Sequence, residues 1–293
     1  MKWREVKIFT TKESLPAISN ILQDIGIEGL VKEDLEVKVS DDDLLIKAYL
    51  PINDSLEAKL AILKSKIGYL HQYGLNSGSG RIELETIPEE DWSSSWKEHF
   101  KPTKITDTIV IKPTWEEYEA KPGEKIIELD PGMAFGTGAH ATTTMCIEAI
   151  EENCDGRESM LDIGTGTGIL SVAASLLEIE DILAIDIDDI AVKIAKQNLK
   201  LNNLNEEVVV KQGDLVEIVN EKYDLVVGNL LPHIILRLIP DMLEVLDEDS
   251  LFILSGINKE KKEEIKEALI DVNLIVKEVK EEEDWVTIIG ERS

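Results

Sequence analysis

Three glycines at every second position, Gly164, Gly166 and Gly168, stand between an apolar run and a helix-compatible stretch. The run before them, Met160-Leu161-Asp162-Ile163, has the character of a buried strand and carries one acid near its end. After them, Ser171-Val172-Ala173-Ala174-Ser175-Leu176-Leu177 suits a helix. Strand, tight glycine loop and helix N-terminus in that order describe the place where an open parallel sheet receives a nucleotide-like ligand. Nothing else in the 293 residues restricts the fold as much.

Downstream the pattern repeats. Ile182–Ile185 reads as a second strand ending at Asp186, and a helix follows through Ala191, Ile194, Ala195 and Leu199. Val208–Val210 is a third strand, leading to Gly213-Asp214. Leu225–Val227 is a fourth, leading to Gly228-Asn229, and Leu251–Leu254 a fifth. A charged amphipathic helix is predicted over Glu260–Ile270. The last two strand-like runs, Leu274–Val279 and Trp285–Ile289, lie too close together for a crossover helix, so they must pair as an antiparallel hairpin. The expected architecture is α/β, a doubly wound Rossmann-like sheet with a C-terminal hairpin.

The loop itself narrows the ligand. A dinucleotide fingerprint needs G-x-G-x-x-G, and counting from Gly164 the third glycine falls at Ile169. Asp162 would repel a pyrophosphate but suits a ligand carrying an amino group. Asp186, at the end of the next strand, can accept two hydrogen bonds from ribose hydroxyls. Asp214, after the third strand, is placed to meet an adenine, although a turn role suits it nearly as well. Asn229 follows a buried strand, where an amide facing the cleft can orient an incoming amine. His140 is read either as a proton acceptor or as a helix cap.

The first part of the chain has no chemical motif. Val6–Ile8, Leu44–Tyr49 and Ile82–Thr86 read as strands, with a further one near Ile27–Val31. Ile18, Ile21, Leu22 and Ile25 recur at helical spacing. A second helix follows the Asp54/Glu57 capping spacing and carries Leu56, Leu60, Leu63, Ile67 and Leu70 on one face. The order β-α-β-β-α-β predicts a small α+β, ferredoxin-like domain over residues 1–87. Trp92, Trp96 and Phe100, four apart, predict a linker helix within residues 88–105. The ligand-binding domain is then expected over residues 106–293.

Composition sets the partner class. A formal net charge of −28 repels phosphate backbones, which counts against direct nucleic-acid binding; the acids either attract a basic protein or, the reading that charge alone favours, simply form a solvated surface. No apolar stretch approaches a membrane span, and the N-terminus lacks the apolar segment of a signal peptide, so a cytoplasmic protein is expected; a monomer is the further expectation. The two cysteines, Cys146 and Cys154, offer no metal spacing and are expected to be inert thiols; no metal is expected.

Taken together, the glycine loop, the ribose-type acid and the third-strand acid resemble the class I S-adenosylmethionine-dependent methyltransferases. Leu129-Asp130-Pro131-Gly132-Met133-Ala134-Phe135-Gly136-Thr137-Gly138-Ala139-His140-Ala141-Thr142-Thr143-Thr144 is similar to a stretch found in the ribosomal protein L-eleven methyltransferase family. The connector Asp91-Trp92 through Lys101-Pro102 and the ending Glu282-Glu283-Asp284-Trp285 are similar to that family too. The resemblance implies a substrate-recognition domain, a linker helix and a catalytic domain. It implies S-adenosylmethionine as methyl donor, and lysine side-chain and N-terminal amines of a basic ribosomal protein as acceptors. By position, Thr143, Gly164, Asp186 and Asn229 match the family's cofactor contacts, with Gly166 and Asp214 beside them. Phe135 matches an aromatic bordering the methionine part of the cofactor, and Asn229 is the expected catalytic residue. Ala141 replaces the family's usual proline, and Pro232-His233 replace smaller residues. The rival readings are a related methyltransferase acting on another protein, a base or a small molecule, and a non-catalytic binding module. Asn229-Leu230-Leu231-Pro232 departs from the Asn/Asp-Pro-Pro-aromatic run usual for base methylation.

Overall fold

Alternating apolar residues near the N-terminus pair into a four-stranded antiparallel sheet backed by two helices. The computed structural model describes residues 2–11, 13–24, 30–34, 43–52, 56–73, 75–88, 101–129 and 140–292, and the chain divides into two units, Met1–Phe100 and Lys101–Ser293. In the first unit β1 (Lys2–Thr11), α1 (Leu15–Asp24), β2 (Leu30–Asp34), β3 (Asp43–Pro51), α2 (Leu56–Tyr69) and β4 (Ile82–Pro88) follow one another. The sheet order is β2-β3-β1-β4, which is the expected ferredoxin-like arrangement. Val6, Ile8, Leu44, Ile46 and Ala48 form its inner face, against Ile18, Ile21 and Leu22 of α1 and Leu56, Leu60, Leu63 and Ile67 of α2. The period-2 and period-3.6 patterns thus meet in one core. Leu45 and Tyr49, on the other face of β3, are buried as well. Tyr49 there donates to the buried Glu5 carboxylate (3.1 Å), which Lys7 also approaches at 3.0 Å. Ile25, Ile27 and Asp54, and the predicted linker helix with Trp92, Trp96 and Phe100, lie outside the described residues.

The second unit begins at Lys101, and its first strand, β5 (Thr103–Lys104), pairs with β6 (Ile109–Pro113). With β7 (Lys125–Leu129) these form a three-stranded sheet that the sequence reading passed over. Then come α3 (Ala141–Asn153), β8 (Ser159–Ile163), α4 (Ile169–Leu176), β9 (Asp181–Asp186), α5 (Asp189–Leu201), β10 (Val208–Gln212), β11 (Tyr223–Asn229) and α6 (Pro232–Leu238). The chain ends with β12 (Leu246–Asn258), α7 (Lys262–Asp271), β13 (Leu274–Glu282) and β14 (Trp285–Arg292).

The main sheet has the order β10-β9-β8-β11-β12-β14-β13. Its first five strands run parallel, and β14 lies antiparallel to both neighbours. The hairpin therefore forms as predicted, but its second strand is the inner one. Burial explains the choice. Val286 through Ile289 are all buried and need cover on both faces, whereas only Leu274 of β13 is fully buried, as suits an edge. One face of the sheet packs on α3, α4 and α5 through Met160, Leu225, Val227 and Ile253. The other packs on α6 and α7 through Leu161, Ile163, Val226, Phe252 and Leu254. Adjacent strand residues alternate between these clusters, so the sheet is doubly wound. Burial pushes the Cys146 thiol up to about 12, which leaves it inert.

Candidate active site

All the carboxyl ends of the five parallel strands point to one edge, where Gly164, Gly166, Asp186, Asp214 and Asn229 end or follow their strands. Gly164, Gly166 and Gly168 carry φ of 72°, 55° and 81°. At Gly164 an added Cβ would sit 2.3 Å from Leu230 Cδ2, a side-chain tip that can shift, so it is the left-handed backbone angle that demands glycine. The loop is anchored to the next strand. Gly164 and Thr165 donate their N–H groups to the Ile185 carbonyl at 2.8 and 3.0 Å. Gly166 donates to Asp186 Oδ2 at 2.9 Å. Asn198 of α5, buried, donates to the Thr167 carbonyl at 2.8 Å.

Asp186 therefore has two tasks. Its Oδ1 accepts from the Asp188 N–H and its Oδ2 from Gly166, yet each oxygen keeps a lone pair for a ribose hydroxyl. The cap of α5 is Asp188, whose side chain accepts from the Ile190 N–H, so capping does not account for Asp186.

Asp162 is fully buried beneath this loop. Thr165 and Ser171 both donate hydroxyl protons to its Oδ2 at 2.6 Å. Its Oδ1 has no hydrogen-bond partner. Burial raises the carboxyl from 3.8 to about 6; the two hydroxyls oppose the rise and the nearby Asp186 charge adds to it. A buried acceptor without a donor, next to a glycine loop, fits a ligand that brings an amino group. S-adenosylmethionine carries one, together with the ribose that Asp186 can accept from. The residues present thus fit the cofactor.

Asn229 ends β11, one residue beyond the Gly228–Ile163 pair and so alongside Gly164. Its Nδ2 donates to Thr142 Oγ1 at 3.1 Å and to Thr143 Oγ1 at 3.5 Å, both in the first turn of α3. Thr143 is fully buried. The chain beyond Asn229 is held down on β12. Leu230 donates its N–H to the Ser255 carbonyl at 3.0 Å, and Gly256 (φ 82°) leaves the room that a Cβ, 2.3 Å from the Leu230 carbonyl oxygen, would take. Ser255 in turn bonds Thr287 at 2.7 Å and the Thr142 carbonyl at 3.3 Å.

Asp214, assigned to the adenine, follows β10 as expected, and Arg237 of α6 forms an ion pair with it. His140 caps α3, with Nδ1 accepting from the Thr142 N–H. Phe135, with the stretch 130–139, lies outside the described residues. Among the described residues no group of three or more His, Cys, Asp or Glu is gathered to hold a metal, and no helix is long and apolar enough to cross a membrane. The sequence reading missed Thr142, Ser255, Thr287, Asn198 and Arg237. For Ser255 and Thr287 a signal existed, a lone hydroxyl inside each of two apolar runs.

Residues 2–293 match the family model described as Ribosomal protein L11 methyltransferase (PrmA). The chain is 42% identical over 308 aligned positions to the Halalkalibacterium halodurans protein of that name, covering 99% of this chain and 98% of the relative. To a Bacillus cereus protein of the same name it is 43% identical over 309 positions, 99% of each. The crystal structure of ribosomal protein L11 methylase from Lactobacillus delbrueckii subsp. bulgaricus is similar with a TM-score of 0.64 and 32% identity. That match covers 66% of this chain and all of the other. The chain belongs to the ribosomal protein L11 methyltransferase family of class I S-adenosylmethionine-dependent methyltransferases.

Proposed function

We propose that the protein methylates ribosomal protein L11 on lysine side-chain and N-terminal amines, with Asn229 as the catalytic residue. The observation that carries this reading is the Asn229 amide, tethered through Nδ2 to Thr142 and Thr143 while its Oδ1 accepts from no described residue. S-adenosylmethionine, when bound, supplies an activated methyl group; Gly164, Gly166, Asp186, Asp162, Thr143, Phe135 and Asp214 are the residues to hold it. The chain's own task is to present a neutral amine. A lysine amine has a pKa of about 10.4 and arrives protonated. Removal from water disfavours the ammonium, which gives its proton to solvent, and an N–H donated to Asn229 Oδ1 then turns the nitrogen lone pair in a fixed direction.

The net charge of −28 supports a basic substrate and disfavours RNA. Residues 1–87 serve as the recognition module, joined by the linker, and the enzyme acts as a monomer.

Asn229→Ala tests the catalytic assignment. Turnover on L11 should fall at least a hundredfold, while cofactor affinity, measured by calorimetry, falls less than tenfold. Wild-type turnover in that variant removes Asn229 from the mechanism.

A further inference from the structure

At the N-terminus of α3, His140 and Thr142 stand next to Asn229 in a chain of hydrogen bonds that has a direction. A primary amide fits its site either way round, and its neighbours decide which end faces where. Thr142 Oγ1 lies 2.8 Å from His140 Nδ1 and 3.1 Å from Asn229 Nδ2. The Thr142 backbone N–H, 3.3 Å from His140 Nδ1, can only donate, so Nδ1 is the acceptor and the neutral ring carries its proton on Nε2. Burial lowers the His140 pKa from 6.5, against the opposing charge of Glu283, which keeps the ring neutral at pH 7. With Nδ1 accepting, the single Thr142 hydroxyl proton is directed to His140. Oγ1 then offers Asn229 nothing but lone pairs. The amide must turn its NH2 to α3, and its Oδ1 away from it.

The surroundings hold this arrangement still. The His140 ring packs edge-on against Trp285, centroids 5.1 Å apart at 66°. The Thr142 carbonyl is fixed by Ser255, itself bonded to Thr287 of β14. The C-terminal hairpin thereby braces the start of α3 as well as closing the sheet.

We infer that His140 is a positioning residue: through the Thr142 hydroxyl it fixes the Asn229 amide so that Oδ1, and not the NH2, meets the amine to be methylated. The inference rests on the catalytic role given to Asn229 above.

Its test is a set of variants assayed for kcat, for KM toward L11 and for cofactor affinity and stoichiometry: His140→Ala, His140→Asn, Thr142→Val and the double variant His140→Ala/Thr142→Val. Asparagine places Oδ1 at the same remove from Cβ as His140 Nδ1, so it can accept from the Thr142 hydroxyl and still cap the helix. His140→Ala should lower kcat about tenfold, the loss of one orienting hydrogen bond. Cofactor affinity should change less than twofold at full stoichiometry. His140→Asn should recover most of that loss. Thr142→Val should lose as much as His140→Ala, and the double variant no more than Thr142→Val alone, because both act on one chain. Wild-type kcat in His140→Ala, a loss that asparagine does not restore, or losses that multiply in the double variant each overturn the inference. If Asn229→Ala is impaired and His140→Ala is not, the inference fails alone. If Asn229→Ala is unimpaired, both fail.

Discussion

Replacing Asp162 by Asn sets stability against cofactor binding. The carboxyl is fully buried, accepts two hydroxyl protons on Oδ2 and leaves Oδ1 without a donor. Its pKa stands at about 6 instead of 3.8. An acid whose pKa is raised by folding stabilises the fold below its unfolded pKa and loses that contribution as pH rises through the folded one. At ~1.36 kcal/mol per pH unit, ionising Asp162 above pH 6 costs the fold ~3 kcal/mol. An amide of the same shape avoids the cost. Asp162→Asn should therefore gain on wild type by less than ~1 kcal/mol at pH 4, ~2 kcal/mol at pH 5 and ~3 kcal/mol at pH 7.5, relative to a constant offset for the amide's own hydrogen bonds. Denaturant unfolding of the cofactor-free protein across that range, followed on the transition of the second unit, reads it. Cofactor affinity should move the other way, falling at least tenfold at pH 7.5, since a ligand amino group loses an ionised acceptor. A stability gap that is flat with pH, or unaltered cofactor affinity, refutes the reasoning.

Three further outcomes follow from the same site. Asp186→Ala should weaken cofactor binding in calorimetry by more than one lost ribose contact accounts for, because the Gly166 N–H loses its acceptor too; unchanged affinity argues against the ribose assignment. Gly164→Ala places a Cβ against Leu230 at a left-handed backbone position, so it should destabilise the second unit by ~1–2 kcal/mol in thermal melts and reduce cofactor binding. Arg237→Ala frees Asp214 from its ion pair and should tighten cofactor binding severalfold with little change in melting temperature, as expected for a partly exposed pair. Looser binding in that variant means that Asp214 does not read the adenine.

The sheet was legible because its information is local. Apolar runs ending in Gly164, Asp186, Gly213 and Asn229 mark strand ends, and a hairpin is forced by the short gap between β13 and β14. The three-stranded sheet at Thr103–Leu129 was not, since Ile109–Ile111 and Ile126–Ile127 are short apolar runs without a flanking helix. What the residues at the strand ends touch was also hidden. Asn229 meets Thr142 across 87 positions and Ser255 meets its carbonyl across 113, and no spacing rule carries over such distances. Asp214 read as a cleft acid and Arg237 carried no signal at all, yet each takes up the other. The family resemblance named Thr143 and Asn229, and the structure adds the hydrogen bonds that tie them together.

The central claim is most directly tested by incubating the protein with methyl-labelled S-adenosylmethionine and the full set of large-subunit ribosomal proteins and RNA, then locating the label by mass spectrometry. Label on lysine ε-amines and the N-terminal amine of L11, absent with Asn229→Ala, is the predicted result. Label on RNA or on a different protein, or none, contradicts it.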